Sequence, residues 1–260
     1  MDVDPASRFR KQEKPTNSEI QKATQFLRRH SIEKNAGEEK RKKATHSDMK
    51  GIKNGMTETG KFLFPDNPNT RNELAHAIEV CHNSGRSELR LCFCEHPTDV
   101  QAFVEDVDIL GREAGGAPDL MKRPDSRQCD YDLLKWRAKA LHEVFPGSSL
   151  RLVLYEASGL YQGQDLFKES YHLVWPEILV SKAEAIVARN HTVKKFEEWS
   201  EVQDHRVAEL LAKAQRHFEN NTWHTMFDES TTRPTIGGRM PFCETWDRFR
   251  GLRFLGISKE

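Results

Sequence analysis

Hydrophobic and polar positions change their period several times along the 260-residue chain, and each change marks an element. Through residues 1–60 there is almost no period to follow. Lys, Arg, Glu, Ser, Thr and Asn dominate, and Phe9, Ile20, Phe26, Leu27 and Ile32 are nearly the only large apolar side chains. Such a segment buries too little surface to offset its chain entropy, so it reads as a disordered charged tail with a transient helix over about Ser18 to Lys43. Order is expected from Lys61-Phe62-Leu63-Phe64-Pro65 onward. Thr70 and Glu73 have capping-box spacing ahead of Leu74, Ala77, Ile78 and Cys81, a helical stripe that stops before Gly85. Alternation over Glu88 to Glu95, and again over Ala102 to Leu110, predicts two strands.

Gly111 to Arg127 is broken up by glycine and proline and carries Arg112, Lys122 and Arg123, the composition of a mobile basic loop. A helix follows over about Asp130 to Phe145, with Leu133, Trp136 or Arg137, Ala140, Leu141 and Val144 at helical spacing and Pro146-Gly147 as its stop. Ser149 to Tyr155 alternates as a strand, and Gly159 to Gln164 turns the chain. Lys168 to Trp175 is a strand in which Tyr171 and Leu173 point inward and Lys168, Ser170 and His172 share the opposite face. Ser181 and Glu184 form a second capping box, and helices over about Ala183 to Trp199 and Asp204 to Asn220 present Ile186, Val187, Val207, Leu210, Leu211 and Phe218 as scaffold. Thr222 to Asp228 reads as a strand that ends in an acid, and a last strand covers about Met240 to Trp246. Strands and helices alternate without a regular βαβ period or internal repeat. The class is therefore α+β, a mixed sheet with flanking helices in one domain over residues 61–260.

Charge adds little at the level of the whole molecule, because 40 basic and 40 acidic residues give a formal net charge of +0. Any attraction for nucleic acid must be local, as in the basic cluster Lys40-Arg41-Lys42-Lys43, which is either of the nuclear-import or nucleic-acid kind or a solvated charge run in the tail. Cys81, Cys92, Cys94, Cys129 and Cys243 are odd in number and follow no secretory leader, which predicts a reducing compartment. No apolar run approaches the ~18 residues of a membrane span, so the expected location is nuclear or cytoplasmic, with an organellar one left open. Cys81-His82 and Cys92-Phe93-Cys94-Glu95-His96 offer zinc-type ligands, but at a spacing that fits no common zinc module, and they read as buried thiols.

The chemistry lies in three stations. Asp106 and Asp108 stand at i and i+2 inside an apolar strand, on one face, where two anions repel unless a cation lies between them. Glu105 falls on the opposite face and is left out of that pair. Lys168, Ser170 and His172 form a row over roughly 13 Å, four steps of about 3.3 Å, suited to gripping a polyanion such as a triphosphate. Asp228 supplies a third acid.

In this order the stations resemble the three motifs of the archaeo-eukaryotic primase superfamily. The resemblance runs from about Phe64 to Trp246. Lys168-x-Ser170-x-His172-Leu173, Phe227-Asp228-x-Ser230 followed by Arg239-Met240-Pro241, and Cys92-Phe93-Cys94-Glu95 look like the branch that holds eukaryotic primase-polymerases and the primases of large DNA viruses. The chain departs from that branch at Thr231-Thr232, where Val-Tyr is common, and at Glu105, where an apolar residue is common. It also carries only Cys243 beyond Asp228, where a Cys/His cluster commonly follows. The resemblance implies a primase-polymerase catalytic core in which Asp106, Asp108 and Asp228 bind two Mg²⁺ or Mn²⁺ ions. Lys168, Ser170, His172 and Arg239 would hold the incoming nucleoside triphosphate. The implied partner is a single-stranded DNA template held by loop 111–127 and the basic tail, with replication proteins recruited through that tail. A two-metal nuclease would use the same acids without the triphosphate row. A catalytically inactive nucleic-acid-binding module would keep DNA binding alone, and a plain interaction protein would make all three stations surface decoration.

Overall fold

Ile20, Ala23, Phe26 and Leu27 recur at helical spacing, and in the computed structural model they are the buried stripe of α1 (Asn17–His30). The structure describes residues 14–48, 60–96, 98–112, 132–156, 158–161, 166–203, 205–229 and 253–258. Thr16 caps α1 and forms a capping box with Glu19. After the short α2 (Glu38–Lys42) come β1 (His46–Asp48), β2 (Lys61–Phe62), α3 (Pro68–Asn83) and β3 (Phe93–Glu95). The strands pair antiparallel in the order β2-β1-β3, and α1 packs on α3. Phe62 stacks on Phe64 with ring centroids 5.6 Å apart and meets Phe93 edge-on at 4.7 Å.

Residues 14–48 thus form ordered structure where composition suggested a charged tail. The charged residues of α1 occupy its exposed side, so counting them hides a four-residue apolar stripe that has a partner helix to bury it. A further difference concerns the start of α3. Asn67, not Thr70, is its N-cap, accepting the Thr70 N–H at 2.9 Å, and Pro68 occupies the first turn, where its missing N–H costs nothing. The strand expected over Glu88 to Glu95 is shorter, because Ser87–Leu89 is a 3-10 turn and only Phe93–Glu95 pairs.

The described residues up to His96 form one unit, and those beyond it a second. In the second, β4 (Gln101–Gly111), α4 (Asp132–Val144), β5 (Leu152–Glu156), β6 (Gly159–Tyr161) and β7 (Leu166–Val180) are followed by α5 (Lys182–Ser200), α6 (Arg206–His217), α7 (Trp223–Met226), β8 (Phe227–Asp228) and β9 (Arg253–Ser258). The sheet order is β8-β4-β7-β5-β9, with β6 beside β7. The class is α+β, and every pairing between described strands is antiparallel rather than mixed. β4 and β5 run the same way, as a strand-helix-strand unit requires, but β7 is inserted between them, which splits the unit.

One face of β4 and β7 carries Phe103, Val107, Ile109, Tyr171, Leu173 and Trp175 into a core with Leu133 and Leu141 of α4, Val193 and Phe196 of α5, and Leu210 of α6. The alternation of side chains then leaves Asp106, Asp108, Ser170 and His172 on the other face. Thr222–Asp228 is helical for most of its length rather than a strand. Thr222 and Thr225 close a capping box around α7, and only Phe227 and Asp228 extend into β8. The loop over 111–127 beyond Arg112, the strand expected over 240–246, Arg239, Cys129 and Cys243 lie outside the described residues. Cys81, Cys92 and Cys94 are not in disulfides, and burial pushes the Cys81 thiol up to about 12.

Candidate active site

The register between β4 and β7 builds the site. Asp106 pairs with His172 and Asp108 with Ser170, while Lys168 stands opposite Leu110, one step further along the row. On the other edge of β4, Asp106 pairs with Asp228 of β8. The three acids, separated by more than a hundred residues in sequence, therefore converge on one strand of the sheet, and the Lys168, Ser170, His172 row lies against them.

The side chains are engaged with one another. Ser170 Oγ donates to Asp108 Oδ1 at 2.6 Å, and Lys168 Nζ lies 2.6 Å from Asp108 Oδ2. His172 Nδ1 is 2.5 Å from Asp106 Oδ1, close enough for an ion pair, yet the angles there are not those of a hydrogen bond, and that oxygen is buried without one. Asp108 is only 11% exposed at its side chain. Burial pushes its carboxyl above the usual carboxylate range, with the neighbouring Asp106 adding to the rise and Lys168 and Ser170 opposing it.

An open cleft of about 670 Å³ is lined by Asp108, Lys168 and Asp228 together with Arg189, Asn190 and His224 among others. The chain matches the family model described as the C962R protein N-terminal AEP domain over residues 53–236, well over half its length. The chain belongs to the archaeo-eukaryotic primase family. No curated protein matches it. The family is of the primase-polymerase type of nucleotidyltransferase, and the matched span of this primase-family chain includes all three acids and the row facing them. Arg239 lies just past that span.

Among the described residues, no three His, Cys, Asp or Glu side chains stand grouped as a metal centre. The donor set nevertheless suits a hard divalent cation. All three acids offer oxygen, and Asp106 Oδ1 is a buried anionic oxygen lacking a hydrogen bond.

Two other groups brace β4 in this primase-family chain, and neither has a partner that can be read from sequence. Arg137 and Glu105 form a buried pair on the core face of β4, which accounts for an acid where the resembling primases often carry an apolar residue. Asn221, 1% exposed, accepts from the Leu110 N–H at 3.1 Å and donates to the Leu110 carbonyl at 2.8 Å, imitating a strand at the end of β4. Arg189 carried a weak signal, as a lone charge within the buried stripe of a helix that otherwise reads as scaffold.

Proposed function

We propose that the chain catalyses template-directed nucleotidyl transfer, as a DNA primase or primase-polymerase. The observation that carries the reading is the double register on β4, which sets Asp106 between Asp228 and His172 and Asp108 against Ser170, with Lys168 reaching Asp108 from the next pair along. Asp106, Asp108 and Asp228 are the residues that would hold two Mg²⁺ or Mn²⁺ ions. When bound, such ions activate a primer 3′-hydroxyl and offset charge on the departing pyrophosphate.

Lys168, Ser170 and His172 would bind the triphosphate of the incoming nucleotide, and their present partners indicate how. Each already faces a carboxylate oxygen, so each is oriented toward anionic oxygens before substrate arrives. Lys168 and Asp108 both line the cleft, which is large enough for a nucleotide. Arg239, by resemblance, would add a further clamp, and a single-stranded DNA template is the proposed partner. A nuclease has no use for a triphosphate-gripping row opposite its acids.

The test is primer extension on a DNA template by the full chain, with Mg²⁺ and Mn²⁺ compared, beside the Asp108→Ala variant. The parent should add nucleotides. Asp108→Ala should add none while still unfolding cooperatively, because relief of repulsion against Asp106 offsets the lost bonds to Lys168 and Ser170. Degradation of the primer without extension would overturn the reading in favour of a nuclease. DNA binding with neither extension nor degradation would leave an inactive binding module.

A further inference from the structure

Arg189 is the one charged residue in the buried stripe of α5, whose other members are Ala185, Ala188, Thr192, Val193 and Phe196. Its guanidinium ends where α7 passes into β8. Nε donates to the Phe227 carbonyl at 3.1 Å and Nη2 to the same oxygen at 2.9 Å, while Nη2 also donates to the His224 carbonyl at 2.8 Å. Nη1 donates to Asn190 Oδ1 at 3.2 Å and stands 3.5 Å from His224 Nδ1. A guanidinium has five N–H donors; four of them reach protein oxygens here, and the fifth, on Nη1, faces His224 Nδ1. Although Arg189 lines the cleft, its guanidinium is engaged mainly with the chain itself.

The Phe227 carbonyl belongs to the peptide that leads directly into Asp228. β8 meets β4 at two register pairs only, Asp106 with Asp228 and Val107 with Phe227. The last carbonyls of α7 are also of the kind a helix leaves without partners. We infer that Arg189 is a positioning residue: it fixes the 227–228 peptide and so sets the Asp228 carboxylate beside Asp106, and the affinity of the site for a divalent cation depends on it. The inference rests on the proposed function, since it assigns Arg189 a role through a proposed metal ligand.

The experiment measures Mn²⁺ binding to the full chain by electron paramagnetic resonance of the free ion, with melting temperature and primer-extension kinetics alongside, for the parent, R189Q, R189K, D228N and R189Q/D228N. R189Q should bind Mn²⁺ about tenfold more weakly, the lower end for loss of a group that orients a ligand. Its kcat should fall while its KM for nucleotide stays near the parent value. R189K keeps the charge but not the fork, and should fall between R189Q and the parent. R189Q should add nothing to D228N, because the residue it positions is already altered. Parent-like Mn²⁺ affinity in R189Q overturns the inference, as does an equal further loss when R189Q is added to D228N, the mark of a general structural role. A raised nucleotide KM with Mn²⁺ binding unchanged overturns it in favour of direct substrate contact. If R189Q does not fold, R189K decides, and parent affinity there overturns the inference. A parent chain that binds no Mn²⁺ overturns the two-metal reading itself, and this inference with it.

Discussion

Removing Arg137 alone, and removing it together with Glu105, should have very different consequences. The two side chains are 0% and 5% exposed. Arg137 Nε lies 2.9 Å from both carboxylate oxygens, its Nη2 is 2.5 Å from Oε1, and Trp175 Nε1 donates to Oε2 at 3.0 Å. In Arg137→Met the Glu105 carboxylate keeps only the indole and stays buried. Breaking a buried pair in this way costs about 3–5 kcal/mol. For 150–250 residues each kcal/mol moves the melting temperature by about 2–4 °C, so the expected fall is about 6–20 °C. In Glu105→Leu/Arg137→Met the buried charge is gone. Replacing a buried pair by apolar residues ranges from neutral to stabilising by about 1–4 kcal/mol, while the orphaned Trp175 N–H costs about 1–3 kcal/mol. The double variant should therefore unfold within about 3 kcal/mol of the parent and no lower than the single variant. Thermal and urea unfolding of the three chains measure this directly. An Arg137→Met variant that loses less than about 1 kcal/mol, or a double variant less stable than the single one, would refute the argument.

Three further outcomes are expected. His172→Ala should raise the nucleotide KM or lower kcat by roughly ten- to a hundredfold, the equivalent of about 1.5–3 kcal/mol for a lost bond to a charged partner. DNA binding without nucleotide should hardly change, and the reverse pattern would show that the row faces the nucleic-acid backbone. Leu27→Ala, at a fully buried position of α1, should cost about 2–5 kcal/mol in urea unfolding, whereas a residue in a charged tail would leave unfolding unaltered. His46 is buried edge-on against Phe64, and burial holds its imidazole down to about 4 from an ordinary 6.5. As pH falls the unfolded chain takes up this proton first, so the stability tied to neutral His46 is complete above pH 6.5 and is lost as pH drops toward about 4. His46→Phe should flatten that stretch of the curve in urea unfolding at stepped pH, and an unchanged slope would refute the assignment.

How legible each feature was depended on whether its cause is local. Period-2 alternation in β4 and β7 is set by the residues themselves, so the shared face of Asp106 and Asp108 and the row of Lys168, Ser170 and His172 could be read directly. Convergence of Asp228 came from the family resemblance, and the structure bears it out by register while replacing the expected strand with α7. What could not be read depends on partners remote in the chain. The stripe of α1 has meaning only once α3 is there to cover it. Glu105 reads only as an acid on the wrong face until Arg137 is found beside it, and Arg189 as scaffold until α7 ends on it. Insertion of β7 between β4 and β5 leaves no trace in periodicity, because each strand alternates in the same way whichever neighbour it has.

That insertion also governs how the protein is made. Both neighbours of β4, namely β7 and β8, are synthesised after it, and both neighbours of β5 that lie along the sheet, β7 and β9, are synthesised after β5. Among the described strands, those made before residue 166 therefore find no partner in this sheet until β7 arrives. Until then the two strands present bare edges and apolar faces, the surfaces on which emerging chains stick to one another. Ribosome stalling or cleavage ahead of β7 would yield a sticky polypeptide rather than a smaller folded protein, and β7 is the segment whose arrival ends that exposure.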